Sequence, residues 1–246
     1  WKKRLVKYDI IICFATDVNL PVLKWIARHC EEKKLIYYLY GRIGDYVDLE
    51  KNEELIANVK ELGYEIWSYD LQDCQRYGFK HNKSFYTEKT HELVARKKEK
   101  DLLYDVVFIA NNKGRGELIR NVKIQLEERG LKTYFYVLNM PDLEGNKCDK
   151  NTPLPYEKYI EVVKVSKAVL DIVTVGNYGL TLRPIEALLT EKKLVTNYLD
   201  IENCDFFKKN NIYIMKDCNL ENINDFLNRP YEFVEQEIID SYSEAA

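Results

Sequence analysis

Arg183 and Glu186 stand three residues apart at the end of the stretch 174–188, TVGNYGLTLRPIEAL, with Gly176 and Gly179 just before them. An apolar run at 168–173 precedes this stretch and reads as a buried strand. A second run, at 194–196, follows it. Between them the chain turns on the two glycines and opens a helix. Pro184 suits the first helical position, where a missing N–H costs nothing. A helix opened in this way aims free N–H groups beyond the sheet, and Arg183 adds a fixed positive charge. Together they suit an anion such as a phosphate. Tyr178, Gly179, Leu180 and Thr181 form the turn itself. Glu186, one turn in, is placed to accept hydrogen bonds from sugar or ribose hydroxyls. Asp171 lies within the apolar run, and a buried carboxylate needs partners. It is expected to hold the turn in shape. The plainer reading is an ordinary strand-to-helix turn with Arg183 in a surface ion pair.

A second anion loop is expected at Asn111, Asn112, Lys113, Gly114 and Arg115, between a buried strand and a helix start. Lys113 and Arg115 flank a glycine and can approach a diphosphate, with the helix dipole adding to them. The loop lacks the spacing of a P-loop. Asp17, just after the first strand, is a candidate general base or else a helix N-cap. Arg42 and Asp45, after the second strand, are weaker contacts for an acceptor.

The elements that must position these residues alternate. Strands are expected at 9–15, 35–40, 64–69, 104–110, 131–138, 168–173, 194–197 and 212–215. Helical spacing falls at 19–31, 50–62, 71–77, 115–128 and 156–166. Two tail helices, broken at Pro230, are expected over 220–243. Residues 87–100 are charged and poorly periodic, as a linker or an exposed helix would be. Continuous Val/Ile/Leu strands separated by helices imply parallel sheets covered on both faces. The fold class is therefore α/β with two Rossmann-like parallel-sheet halves. In such sheets ligands bind beyond the carboxyl ends of the strands.

Bulk composition narrows the function. The chain has 246 residues with 37 basic and 40 acidic side chains, interspersed, which argues against a nucleic-acid surface. The basic run at 96–100 is short and broken by an acid. Six cysteines and three histidines are scattered without metal-ligand spacing, so no metal site is expected. His29 reads as a helix-surface residue, His81 and His91 as loop residues. No run approaches the roughly 18 apolar residues of a membrane span.

Several segments together resemble bacterial glycosyltransferases of the GT-B class, found in capsule, lipopolysaccharide and exopolysaccharide biosynthesis. The likeness is carried by Tyr8 to Ile12, Lys34 to Tyr40 and Ser68 to Phe79 in the first half. In the second half it is carried by Tyr104 to Ile109 with Arg115, Leu154-Pro155-Tyr156, and above all Ser166 to Ile172 running through Gly179-Leu180-Thr181-x-Arg183-x-x-Glu186 to Asn197. Asn177-Tyr178 and Gly41-Arg42 depart from the family pattern. The resemblance implies a nucleotide-sugar donor held mainly by the second half. Arg115 and the turn from Gly179 to Arg183 would meet the diphosphate, and Glu186 the ribose or transferred sugar. It also implies independence from metal and from any cofactor.

The resulting expectation has four parts: an N-terminal acceptor-side domain over 1–86, incomplete relative to that family; a linker over 87–103; a nucleotide-sugar-binding domain over 104–217; and terminal helices over 218–246 packing back on the N-terminal half. The expected activity is transfer of a sugar to a glycan or lipid-linked acceptor in the cytoplasm, peripheral to the inner membrane. The alternatives are a non-catalytic nucleotide- or sugar-binding subunit and a sugar-nucleotide epimerase.

Overall fold

The computed structural model describes all residues except 1, 6, 16–18, 40, 42, 44–48, 96–100, 141–151, 174–178 and 245–246. The chain forms two units. Unit 1 runs to Ser84 and includes Gly179 and Leu180, and unit 2 holds the remainder from Phe85 onward. Each unit is built on an all-parallel sheet. The α/β class expected from the strand and helix alternation is therefore observed.

Unit 1 contains α1 (Lys2–Leu5), β1 (Ile10–Phe14), α2 (Leu20–His29), β2 (Lys34–Leu39), α3 (Leu49–Glu61), β3 (Glu65–Ser68), α4 (Leu71–Tyr77) and β4 (Lys80–His81). The sheet order is β1-β2-β3-β4. Local chemistry sets the helix ends. Asn19 caps α2 by accepting from the Val22 amide at 3.3 Å, and Asp70 caps α4 through the Asp73 amide at 2.9 Å. Gly78 stops α4 in the left-handed region, at φ 68°. Because every step moves the same way across the sheet, right-handed crossovers place the helices of unit 1 on one face, not on both as expected. Leu23 and Ile26 of α2, Ile56 and Val59 of α3, and Cys74 of α4 share one core with Ile11, Cys13, Leu35, Tyr37, Leu39 and Ile66. The alternate residues Ile10 and Ile12 of β1 are half exposed.

Unit 2 contains α5 (Glu88–Ala95), β5 (Tyr104–Asn111), α6 (Gly116–Glu128), β6 (Thr133–Leu138), α7 (Tyr156–Lys164), β7 (Ser166–Asp171), α8 (Leu182–Leu189), β8 (Lys193–Thr196), β9 (Ile212–Ile214), α9 (Ile223–Asn228) and α10 (Gln236–Asp240). Its strand order is β6-β5-β7-β8-β9. The step from β5 to β6 runs one way and the step from β6 to β7 the other, so right-handed crossovers put α6 and α7 on opposite faces. Ile119, Val122 and Leu126 of α6 pack with Val106, Phe108, Ala168, Leu170 and Val195, joined by Ile223 and Phe226 of α9.

The charged segment after residue 87 forms α5, which buries Thr90 and Leu93, three residues apart on one face. His91 therefore stands in a helix, not a loop, and stacks on Tyr86 at 6.3 Å. The tail also returns to this region. The Tyr86 amide donates to the Tyr242 carbonyl at 2.8 Å, and the Glu244 amide donates to the Tyr86 carbonyl at 3.0 Å.

Candidate functional site

In unit 2 the strand order reverses between β5 and β7. Ligands of open α/β sheets bind beyond the carboxyl ends of the strands at such a point. Here the two strands part company. Their register runs from Tyr104 opposite Ser166 to Val107 opposite Val169. β5 then continues to Asn111 alongside β6. The loop after β5 carries Asn112, Lys113 and Arg115, and the segment after β7 leads to Thr181, Arg183 and Glu186.

Arg183 reaches from α8 across the split. One of its terminal amino groups donates to the Ile109 carbonyl of β5 at 2.8 Å. The other meets Asp171 Oδ1 at 3.2 Å, and the guanidinium lies 5.6 Å from the Phe108 ring centre. Its buried Nε has no hydrogen-bond partner. Burial works against the charge, but Asp171, Tyr159 and Glu186 more than restore it, and the Arg183 pKa sits above its ordinary value.

Asp171, the last residue of β7, is 1% exposed. It accepts from Arg183 and, at 3.3 Å, from the Thr181 hydroxyl. Thr181 is the N-cap residue of α8, yet its side chain makes no capping bond to the helix. The first-turn amides of α8 are thus not capped by Thr181. The helix begins at Leu182, so Pro184 occupies the third position instead of the first. The consequence is small, because the amides of the first turn have no intrahelical partner at either place.

Glu186 is 5% exposed. Its oxygens accept from the Tyr156 hydroxyl at 2.8 Å and from the Tyr159 hydroxyl at 2.5 Å. Burial raises the Glu186 pKa, while the two tyrosine hydroxyls and Arg183 oppose that rise. Burial, and then the Glu186 charge, hold both tyrosines above their ordinary value. Thr90 Oγ1 of α5 lies 3.4 Å from the Tyr156 hydroxyl. From the sequence, Tyr156 stands out only as part of Leu154-Pro155-Tyr156, with no role given to it, and Tyr159 does not stand out. Their signal is the spacing of three at the start of α7, which puts both hydroxyls on one helix face.

Arg115, the N-cap residue of α6, is bound to backbone. Its guanidinium donates to the Ile172 carbonyl beyond β7, to the Asn111 carbonyl at 2.7 Å and to the Asn112 carbonyl at 3.2 Å. Asn112 donates through Nδ2 to the Asn139 carbonyl at 3.2 Å, and its buried Oδ1 has no hydrogen-bond partner. Lys113 is exposed and left-handed at φ 45°, followed by Gly114 at φ 77°. Lysine is uncommon there.

Asn112, Lys113, Arg115, Asp171, Thr181, Arg183 and Glu186 thus belong to unit 2, whereas Gly179 and Leu180 belong to unit 1. A Cβ on Gly179 would lie 2.5 Å from the Tyr69 ring and 2.7 Å from the Tyr69 carbonyl oxygen. The Leu180 carbonyl accepts from the Ser84 hydroxyl at 2.5 Å. Asp17, Arg42, Asp45 and Tyr178, with the basic run 96–100, lie outside the described residues. Among the described residues there is no cluster of three or more potential metal ligands, and no helix is long and apolar enough to cross a membrane.

No protein-family model matches the chain, and no curated protein matches it. Among solved structures, the chain is similar to the Glycosylation Associate Protein (Gap123) complex from Streptococcus agalactiae. The TM-score is 0.47 at 10% identity, over 98% of this chain and 53% of that one. The chain spans about half the length of that matched chain.

Proposed function

We propose that the β5/β7 split of unit 2 binds the diphosphate of a nucleotide sugar. On this reading the protein is a glycosyltransferase that delivers the sugar to a glycan or lipid-linked acceptor of a bacterial surface polysaccharide. The observation that carries the reading is the position of the split: a strand-order reversal flanked by the α8 N-terminus and by exposed Lys113 on a left-handed turn. Helix amides and one exposed cation can receive an anion there and stabilise the charge that grows on a leaving diphosphate. Arg115 and Arg183 support that surface, since both are tied to backbone carbonyls at or near the ends of β5 and β7. In the transfer step an acceptor hydroxyl attacks the anomeric carbon and gives up its proton to a base. Asp17 is the proposed base. The site of action is the cytoplasm, at the inner face of the membrane when the acceptor is lipid-linked.

A second reading is a binding subunit without turnover. It is favoured by the commitment of both switch-point carboxylates: Asp171 to Arg183 and Thr181, and Glu186 to two tyrosines. Thermal-shift titration with nucleoside diphosphates and sugar nucleotides, with and without EDTA, tests the shared premise. One nucleotide class should raise the melting temperature in both conditions. The absence of any shift would remove both readings. Release of nucleoside diphosphate in the presence of acceptor then separates transferase from binding subunit.

A further inference from the structure

Unit 1 contains a cavity of about 140 Å³ that the donor reading does not use. It is lined by Ala15, Tyr37, Leu39, Ile43, Asn52, Leu55 and Ile56. Ala15 directly follows β1 and Leu39 ends β2, so the cavity lies at the carboxyl ends of two parallel strands, where this class of sheet receives ligands. Asn52, Leu55 and Ile56 project from one face of α3 at helical spacing.

The wall is fixed. The Ile43 amide donates to Asp73 Oδ2 of α4 at 2.8 Å. Its carbonyl accepts from Asn52 Nδ2 at 3.2 Å. Tyr37, Leu39 and Ile43 are each under 4% exposed. The cavity is a cleft partly open to solvent, and its mostly apolar walls hold water less well than polar ones would. Among the described residues, no charged side chain lines it.

We propose that the cavity is a binding site for a small uncharged apolar group, a ring or a branched chain on the order of six carbons. It has the volume for that class, and its described lining carries no charge for an ionic one. Asn52 is the amide on its wall. The proposal rests on unit 1 alone and stands or falls apart from the nucleotide reading of unit 2.

The test titrates the full chain with toluene, benzoate and benzylamine, followed by thermal shift and methyl NMR. Toluene should raise the melting temperature saturably and shift the methyl signals of Leu39, Ile43, Leu55 and Ile56. Benzoate and benzylamine should do neither. Leu55→Phe, which fills the space, should abolish the toluene response. Ala15→Val serves if that variant does not fold, and should weaken the response at least several-fold. A wild-type protein indifferent to toluene would overturn the proposal. So would equal binding of benzoate, or a toluene response that survives both variants.

Discussion

Arg115 and Arg183 brace the β5/β7 split from opposite sides. Arg115, ahead of α6, donates to the Ile172 carbonyl beyond β7, while Arg183, on α8, donates to the Ile109 carbonyl of β5. Each guanidinium is anchored to the loop or helix that follows one strand and satisfies a carbonyl of the other. Where the strands diverge, the sheet can no longer supply donors, and an unpaired buried carbonyl costs free energy. The two arginines take over that role.

Removing one brace should therefore cost stability before it costs binding. Arg183→Ala leaves Asp171 buried without its cation, and urea denaturation should show a loss of about 3 kcal/mol. Adding Asp171→Asn should recover part of that loss. If the single variant matched wild type in stability, the ion pair would carry no structural weight.

Glu186 should make stability depend on pH. Burial raises its pKa above the ordinary 4.5, so the folded chain holds this proton more tightly than the unfolded chain. Its contribution is present in full below the unfolded value and is lost as pH rises through the folded one. Urea midpoints should therefore show a component that falls with rising pH above about 4.5, and Glu186→Gln should remove that component. A profile identical to wild type in the variant would contradict the assignment.

Gly179→Ala should destabilise unit 1 by roughly 1–3 kcal/mol, since the added carbon meets both the ring and the carbonyl of Tyr69. Tyr69→Ala clears the ring but leaves the carbonyl in place. Chemical denaturation of the double variant should thus show only partial relief.

Lys113→Gly separates strain from binding. Glycine accepts the left-handed backbone that lysine resists, so the variant should gain up to about 1 kcal/mol. The same change removes the exposed cation, and nucleoside diphosphate affinity should fall by about tenfold. Calorimetry on one sample reads both effects.

The main elements were legible because long apolar runs leave few alternatives. The runs around Val107 and Val169 read as buried strands and are found as β5 and β7. β4 escaped because two polar residues, Lys80 and His81, carry no periodicity. α5 was ambiguous because its buried face consists of little more than Thr90 and Leu93. Asp171 announced itself as a carboxylate within an apolar run, and its need for partners follows from burial alone. The direction in which Arg183 points does not follow in that way. Its side chain can reach outward to a ligand or inward to Asp171, and only the packing of α8 against β7 decides. The clasp of Tyr156 and Tyr159 on Glu186 likewise requires α7 and α8 to lie side by side, which no spacing within one helix reveals.

Unit 1 carries a history in its strand order. Each strand pairs with the one translated just before it, so β1 to β4 can assemble in sequence as they leave the ribosome, with short loop closures throughout. Gly179 and Leu180, however, are synthesised only after β5, β6 and β7. The socket at Tyr69 and Ser84 must therefore wait for its occupant. Unit 1 starts first, but its last contacts close only after most of unit 2's sheet has been made.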